Sequence, residues 1–309
     1  MIGIKDITTF LPANRINTIE CADSLGSTPE QIQNRIGFVQ LARMEKGQTL
    51  LDLALPAVSK LLKKNNIQPA DIEVLVVVTQ NHDQKIPHAS AHIHGMLQLS
   101  ATCACFDIGL GCSGYVYALS IVSAFMSANA LTKGVLVTAD PYSNIVDPRD
   151  KATALIFGDG ATATLLTDNP TFEIGKFVFG TDGSHADKIA CNEGILHMNG
   201  RAVFNFSATV VPANIIATLE ANNTLLEEVD QFVLHQGSRY IVDTIATRLR
   251  IDARKSPFMA ANYGNTVSSS IPLMLAELAK VPSNRTLVLS GFGLGLSWAS
   301  TVIKRKGTQ

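Results

Sequence analysis

The sequence predicts a layered α/β fold built from two similar halves, and three observations carry that expectation. β-Branched strand-like runs alternate with longer helical patterns, the order of sheets covered by helices. Several short runs, such as Val74-Leu75-Val76-Val77-Val78, are apolar throughout, as strands covered on both faces are. The third is an internal echo. Phe157-Gly158-Asp159-Gly160 precedes the strand-like Ala161 to Leu166, and Phe292-Gly293-Leu294-Gly295 precedes Leu296 to Val302, each downstream of a comparable apolar run. Repeated units at this separation suggest halves 1–170 and 171–309, with a chance likeness of Gly-rich loops as the alternative.

The elements follow in chain order. Strands are expected at 73–79 around the Val74 run, at 102–108 with Cys103 and Cys105 alternating on one face, and at 134–139 through Val135-Leu136-Val137-Thr138. In the second half they are expected at 231–234 on Phe232-Val233-Leu234 and at 285–290 on Leu287-Val288-Leu289. Helices fill the gaps at 49–63, 88–97, 112–128, 208–221, 239–249 and 266–279. The segment 168–200, with its Gly, Asn and Asp residues, is expected to carry the crossover and lid-like loops.

Composition sets the outer limits. The 309 residues are 46% hydrophobic, 17% charged and 6% aromatic, which excludes disorder and describes a globular chain with a large core. A net charge of −1 predicts no nucleic-acid footprint, and Lys304-Arg305-Lys306 reads as a frayed, solvated tail. No apolar run is expected to reach the length of a membrane span. The five cysteines at 21, 103, 105, 112 and 191 are an odd count without paired CxxC units. With no signal peptide in Met1-Ile2-Gly3-Ile4-Lys5-Asp6, they point to the reducing cytoplasm.

Three side chains stand at strand ends, where ligands bind in open α/β folds. Cys112 lies in Phe106-Asp107-Ile108-Gly109-Leu110-Gly111-Cys112-Ser113-Gly114, at the turn from a strand into a long helix. Such a position favours thiolate through the helix macrodipole and free N–H groups, and it also suits a buried cysteine filling a tight turn. His235 closes Phe232-Val233-Leu234 and Asn265 sits in Asn262-Tyr263-Gly264-Asn265-Thr266. Taken singly, each has a good structural explanation, a core or loop histidine and a helix N-cap. Together they point to chemistry. The pair His88 and His92, with His94 nearby, has helical spacing for a metal but no clear third ligand, so no metal site is expected.

The chain resembles the thiolase-fold condensing enzymes, and most closely β-ketoacyl-acyl-carrier-protein synthase III. The resemblance runs almost end to end. It is carried by Phe106-Asp107 to Tyr115, Ile156 to Ala161, Leu234-His235-Gln236-Gly237, Tyr263-Gly264-Asn265-Thr266 with Ser269 and Pro272, and Gly291-Phe292-Gly293 to Trp298. It implies a duplicated five-layered α/β/α/β/α thiolase-like fold, a homodimer, and Cys112, His235 and Asn265 meeting at the bottom of a tunnel. It further implies an acyl-CoA donor, an acyl carrier protein bearing phosphopantetheine, and no tightly bound cofactor. Cys112 would take the acyl group, with oxyanion donors on its own N–H and on the Gly293-Leu294-Gly295 turn. His235 and Asn265 would steady the enolate of a decarboxylating malonyl thioester.

The resemblance also implies that Ile86, Phe157, Met198 and Phe204 line or close the acyl pocket, with Ile86 reaching across the dimer. Ile86 stands where the family usually has phenylalanine, so a roomier pocket end is expected. At the mouth, Gln31 and Lys151 replace an adenine-sandwiching tryptophan and arginine, Arg35 matches, and Ser238 stands for an asparagine. The usual coenzyme A mode is therefore open to replacement by a carrier-protein donor. Arg239, Arg248, Arg250, Arg254 and Lys255 form the expected carrier-docking patch, or an ordinary solvated face. Two other reactions remain in view: acyl transfer from Cys112 to an oxygen, nitrogen or carrier nucleophile, and cysteine hydrolysis. The second is weakened by Leu110, where a nucleophile elbow needs glycine.

Overall fold

The computed structural model describes residues 1–307. Its strands are β1 (Gly3–Phe10), β2 (Arg15–Asn17), β3 (Gln40–Ala42), β4 (Val74–Val78), β5 (Ala104–Ile108), β6 (Lys133–Ala139) and β7 (Ala161–Thr167). They continue with β8 (Phe172–Thr181), β9 (Ile189–Asn192), β10 (Ile195–Met198), β11 (Gln231–Leu234), β12 (Thr286–Gly293) and β13 (Ser297–Arg305). The helices are α1 (Pro29–Gln31), α2 (Leu50–Lys64), α3 (Ala89–Leu97), α4 (Gly114–Ala128), α5 (Lys151–Ala154), α6 (Gly200–Ala221), α7 (Arg239–Leu249) and α8 (Ser270–Leu278).

Nine strands hydrogen-bond in the order β11-β12-β13-β8-β1-β7-β6-β4-β5. In the first half the opening strand β1 lies beside the closing strand β7, then come β6, β4 and β5. In the second half the opening strand β8 lies beside the closing strand β13, then come β12 and β11. The two runs match, except that the second has no counterpart of β5 among the described residues. β7 and β13 each run antiparallel to both neighbours, while β4 is parallel to β5 and β6, and β11 to β12. Among the described residues the halves join edge to edge through Gly3 with Glu173 and Ile4 with Phe172. Residue 170 falls in the link between β7 and β8.

Side-chain packing sorts these elements into layers. One face of β4 and β6 (Val74, Val76, Leu136) and one face of the second-half strands (Val233, Leu287, Leu289) bury against the same helices. Those are α4 (Tyr115, Leu119, Val122) and α8 (Ile271, Met274, Leu275). The opposite face of the first half (Leu75, Val77, Val135, Val137) is covered by α2 and α3, and that of the second half (Phe232, Leu234, Val288) by α6 and α7. The succession is helix, sheet, helix, sheet, helix, which explains why so many strands are apolar on both faces.

Several sequence expectations need correction. β1 and β8 were not expected, and all of β8 falls where crossover and loops were predicted. Its face is only half-buried, and its Phe, Lys and Gly residues give no clear alternation. α6 begins eight residues before the expected start, and at 22 residues it has the length and hydropathy of a membrane span. It is a core helix here: Val211, Ile215 and Leu219 pack on the second-half sheet, and Asn214 bonds to the carbonyl of Val178 and to Ser300. The expected tail at Lys304 to Lys306 belongs instead to the fold. Arg305 lies over the Phe172 ring at 4.4 Å and donates to the carbonyl of Ala279 at 2.6 Å.

Candidate active site

The Gly-rich turns of the echo deliver the site. Cys112 sits two residues before α4 and is 5% exposed, packed between the two halves. Opposite it runs the Gly293 turn that joins β12 to β13. Gly158, from the other echo, touches the Asn265 segment so closely that a Cβ there would stand 2.0 Å from the carbonyl oxygen of Tyr263. The motif acid Asp159 is a structural tie, accepting from the N–H groups of Met44 at 2.9 Å and Ser143 at 3.0 Å.

Asn265 is held from three sides. Its N–H donates to the Ile156 carbonyl at 2.8 Å, its own carbonyl accepts from Gly158 N–H at 3.0 Å, and its Oδ1 accepts from Val267 N–H at 2.9 Å. The last bond orients the amide, leaving Nδ2 to face His235. Val267 adopts φ 54°, a strained left-handed conformation for a β-branched residue, where the chain turns back into the site.

His235 follows β11, with its N–H bonded to the Ser290 carbonyl at 2.9 Å. Its Nδ1 lies 2.7 Å from Ser270 Oγ, its Nε2 lies 3.5 Å from Asn265 Nδ2, and its ring meets Phe292 edge-on at 5.5 Å. Burial pushes its pKa down to about 3, so the imidazole is neutral at physiological pH.

Burial also acts on Cys112, in the direction opposite to the expected activation. Its thiol is pushed up to about 12, first by desolvation and then by the neighbouring carboxyl of Asp140, against hydrogen bonds from the N–H groups of Leu294 and Cys112. The helix terminus does not overcome a site this dry. Asp140, at the end of β6, is buried among donors only: Thr79 Oγ1, Gln80 N–H at 2.8 Å, and the hydroxyl of Ser268. The sequence reading missed Asp140 and Ser270. The strand-end rule that picked out His235 applies equally to Asp140.

Cys112, His235, Asn265, Gly293 and Leu294 all line one cavity of about 240 Å3, and Phe157, Met198, Phe204, Arg35 and Ser238 line it too. Its wall is almost wholly apolar, and it runs from Arg35 to the sulfur of Cys112. Phe204 stacks on Tyr240 at 4.8 Å. The Ser238 hydroxyl is occupied as the N-cap of α7, accepting from Ile241 N–H at 3.2 Å.

The other expected residues lie apart. Ile86 is 85% exposed and lines neither this cavity nor its neighbour. Tyr142 packs in the same buried cluster as Cys112 and stacks on Phe157 at 5.0 Å. Gln31 is exposed on α1, and Lys151 Nζ binds the carbonyl of Gly26. Arg239 lies 4.7 Å from the Phe258 ring centroid, Arg254 pairs with Asp252, and Lys255 binds the Glu227 and Val229 carbonyls. Arg248 and Arg250 are surface residues. His94 turns to the Ser100 carbonyl and His92 to Gln84, and among the described residues no three His, Cys, Asp or Glu side chains gather as a metal set.

The family model described as 3-oxoacyl-[acyl-carrier-protein (ACP)] synthase III matches residues 106–183, and its C-terminal counterpart matches residues 219–305. The β-ketoacyl-[acyl-carrier-protein] synthase III of Streptococcus sanguinis is 31% identical over 97% of this chain and 98% of its own length. The same enzyme of Lactococcus lactis subsp. lactis is also 31% identical, over 97% and 98%. A crystal structure of a 3-oxoacyl-(acyl-carrier-protein) synthase III superposes with a TM-score of 0.91 at 30% identity, covering 98% of this chain and 99% of that one. The corresponding protein of Aquifex aeolicus gives 0.92 at 25% identity, covering 98% and 100%.

Proposed function

The chain belongs to the β-ketoacyl-acyl-carrier-protein synthase III family and is a condensing acyltransferase; from that premise we propose that Cys112 carries the acyl group, while His235 and Asn265 promote decarboxylative condensation. The observation that supports these roles is the convergence of the three side chains, each at most 5% exposed, on one apolar cavity. We read 1–170 and 171–309 as the two thiolase-like halves, the first supplying the nucleophile and the second the enolate site.

In the first half-reaction Cys112 Sγ attacks the carbonyl carbon of an acyl thioester. The oxyanion lies against the N–H groups of Cys112 and Leu294, which point at the sulfur in the resting protein. Collapse breaks the bond to the coenzyme A or phosphopantetheine sulfur, which leaves with the proton that Cys112 gives up. The product is acyl-Cys112 and a free thiol.

In the second, a malonyl thioester of the carrier protein loses CO2. Its thioester oxygen takes the negative charge between His235 Nε2 and Asn265 Nδ2. Both must be donors. With Ser270 donating its hydroxyl proton to Nδ1, the neutral ring keeps its own proton on Nε2, and the Val267 bond turns Asn265 Nδ2 the same way. The enolate carbon attacks acyl-Cys112, the C–S bond breaks, and Cys112 leaves as thiolate and takes a proton from water. The product is β-ketoacyl-carrier, which starts acyl-chain synthesis. No bound cofactor is needed, and acyl-CoA and malonyl-carrier are the substrates.

Arg35, at the cavity mouth, is positioned to meet the phosphate end of either thioester, and the surface cations Arg248 and Arg250 face an acidic carrier. We place the enzyme in the cytoplasm as a homodimer, supported by the exposed Ile86 and the open edge of β5. Acyl transfer to another nucleophile without elongation is the second reading, favoured by the Ser238 hydroxyl at the cavity being engaged as the N-cap of α7 and by Lys151 being bonded to the Gly26 carbonyl away from the cavity.

The experiment is sequential. Radiolabelled acyl-CoA is added, Cys112 acylation is followed by mass, and malonyl-carrier is then supplied while CO2 is collected. Acylation without CO2 release refutes condensation. A Cys112→Ala protein that still acylates refutes the mechanism. A monomeric mass in solution refutes the dimer.

A further inference from the structure

Asp140 is a fully buried carboxyl beside the nucleophile that neither half-reaction uses. Its Oδ1 accepts from Thr79 Oγ1 at 3.2 Å and from Gln80 N–H at 2.8 Å, both just past the end of β4. Its Oδ2 accepts from the Ser268 hydroxyl, and the Ser268 N–H bonds to the same carboxyl. Two donors come from the first half and two from the second. Burial pushes the carboxyl pKa up, and the four donors push it back down, which is the surrounding an ionised carboxylate needs. One side chain thus ties the halves together next to Cys112.

Ser268 is the first of three successive buried serines, and each is bound to a different part of the site. Ser269 Oγ lies 2.8 Å from Thr138 Oγ1 and donates to the Gly160 carbonyl at 3.1 Å, while Ser270 Oγ lies 2.7 Å from His235 Nδ1. Immediately before them, Val267 carries the N–H that orients the Asn265 amide. Its φ of 54° is costly for a β-branched residue and persists only where the surroundings hold it. The next side chain along is the one clasped by Asp140. A Cβ on Gly111 would stand 3.2 Å from Val267 Cγ1, so the same segment also leans on the nucleophile's loop. Asn265, Val267 and Ser270, which aim the two enolate donors, all lie within it.

The carboxylate acts on Cys112 in the opposite sense. A negative charge beside the sulfur disfavours thiolate, the form that attacks the first substrate. A buried anion that opposes acylation therefore has its use in the other half-reaction. We propose that Asp140 is a positioning residue for the enolate site: through Ser268 it holds the segment that aims Asn265 and His235, and it slows acylation of Cys112 in doing so. This rests on the reading of Cys112 as the acylated nucleophile and of His235 and Asn265 as the enolate donors.

The test compares wild type, Asp140→Asn and Ser268→Ala in each half-reaction separately. Acylation by acetyl-CoA is followed against pH by intact mass, and CO2 release from malonyl-carrier is followed on enzyme already acylated. Asparagine keeps an oxygen for Gln80 and Thr79 but can turn an NH2 toward the Ser268 N–H, where two donors repel. CO2 release by Asp140→Asn should fall by about tenfold to a hundredfold, the size of a small misplacement of catalytic groups. Its acylation should become faster at pH 7, with the pH profile displaced to lower pH. Ser268→Ala breaks the link and leaves the charge, so its CO2 release should also fall while its acylation profile stays in place. General damage to the fold slows both half-reactions and accelerates neither. Wild-type CO2 release by folded Asp140→Asn, or equal loss of both half-reactions, overturns the proposal. If Asp140→Asn does not fold, Ser268→Ala decides alone, and unchanged CO2 release overturns it. A wild type that never acylates, or acylates without releasing CO2, overturns the underlying reading instead.

Discussion

A methyl group on Gly293 would stand 2.7 Å from Cys112 Cβ and 2.9 Å from its sulfur. The backbone of this turn therefore lies directly against the nucleophile's side chain, with the Leu294 N–H bonded to the sulfur. Gly293→Ala must push the two apart. Acylation of Cys112 is expected to fall by about a hundredfold or more, the size of losing one aligned oxyanion donor. Burst amplitude by intact mass measures it, with a thermal melt to show that the variant is folded.

Asn265→Asp separates the two half-reactions. The aspartate keeps an oxygen for Val267 N–H but places negative charge where the enolate must form. Condensation and CO2 release should fall by about 10²- to 10³-fold, on the order of 3 kcal/mol, while acyl-Cys112 still accumulates. Equal loss of both half-reactions would remove Asn265 from the enolate site.

His235 makes stability depend on pH with a definite sign. Its folded pKa is depressed to about 3 from an unfolded value of 6.5, so between those limits the unfolded chain binds the extra proton. Its contribution to stability is complete above pH 6.5 and is lost as pH falls toward 3. Urea midpoints for wild type and His235→Gln should converge on acidification, because the glutamine variant lacks this proton uptake. Parallel midpoints across that range would show that the ring is not buried neutral.

Cys112 gives the opposite pattern in reactivity. With the thiol pushed up to about 12, iodoacetamide labelling of the resting enzyme should keep rising beyond pH 9 without a plateau. Asp140→Asn removes the carboxyl that adds to this shift, so its labelling profile should move toward lower pH. A plateau near neutrality in wild type would restore the helix-activated thiolate as the resting state.

The contrast at Cys112 shows where sequence reading stops. Its place between a strand and α4 was legible because the run from Phe106 to Gly114 changes from apolar to small residues, and the macrodipole argument follows from that local order. Burial does not. It depends on the approach of Gly293 from the other half, and the charge that adds to it comes from Asp140 after β6, neither of which is near in sequence. The same holds for β8, half-exposed and weakly patterned, which becomes a strand because β13 and β1 offer it partners on both sides.

By itself, then, the sequence determined the alternation of strands and helices, the echo of the Gly158 and Gly293 turns, and the identity of Cys112, His235 and Asn265. These depend on local pattern and residue chemistry. Tertiary structure alone decided the protonation of that site, the neutral ring held by Ser270, and the packing of Tyr142 and Phe157 beside Cys112. Desolvation, hydrogen-bond orientation and cavity shape arise only when segments distant in the chain pack against one another.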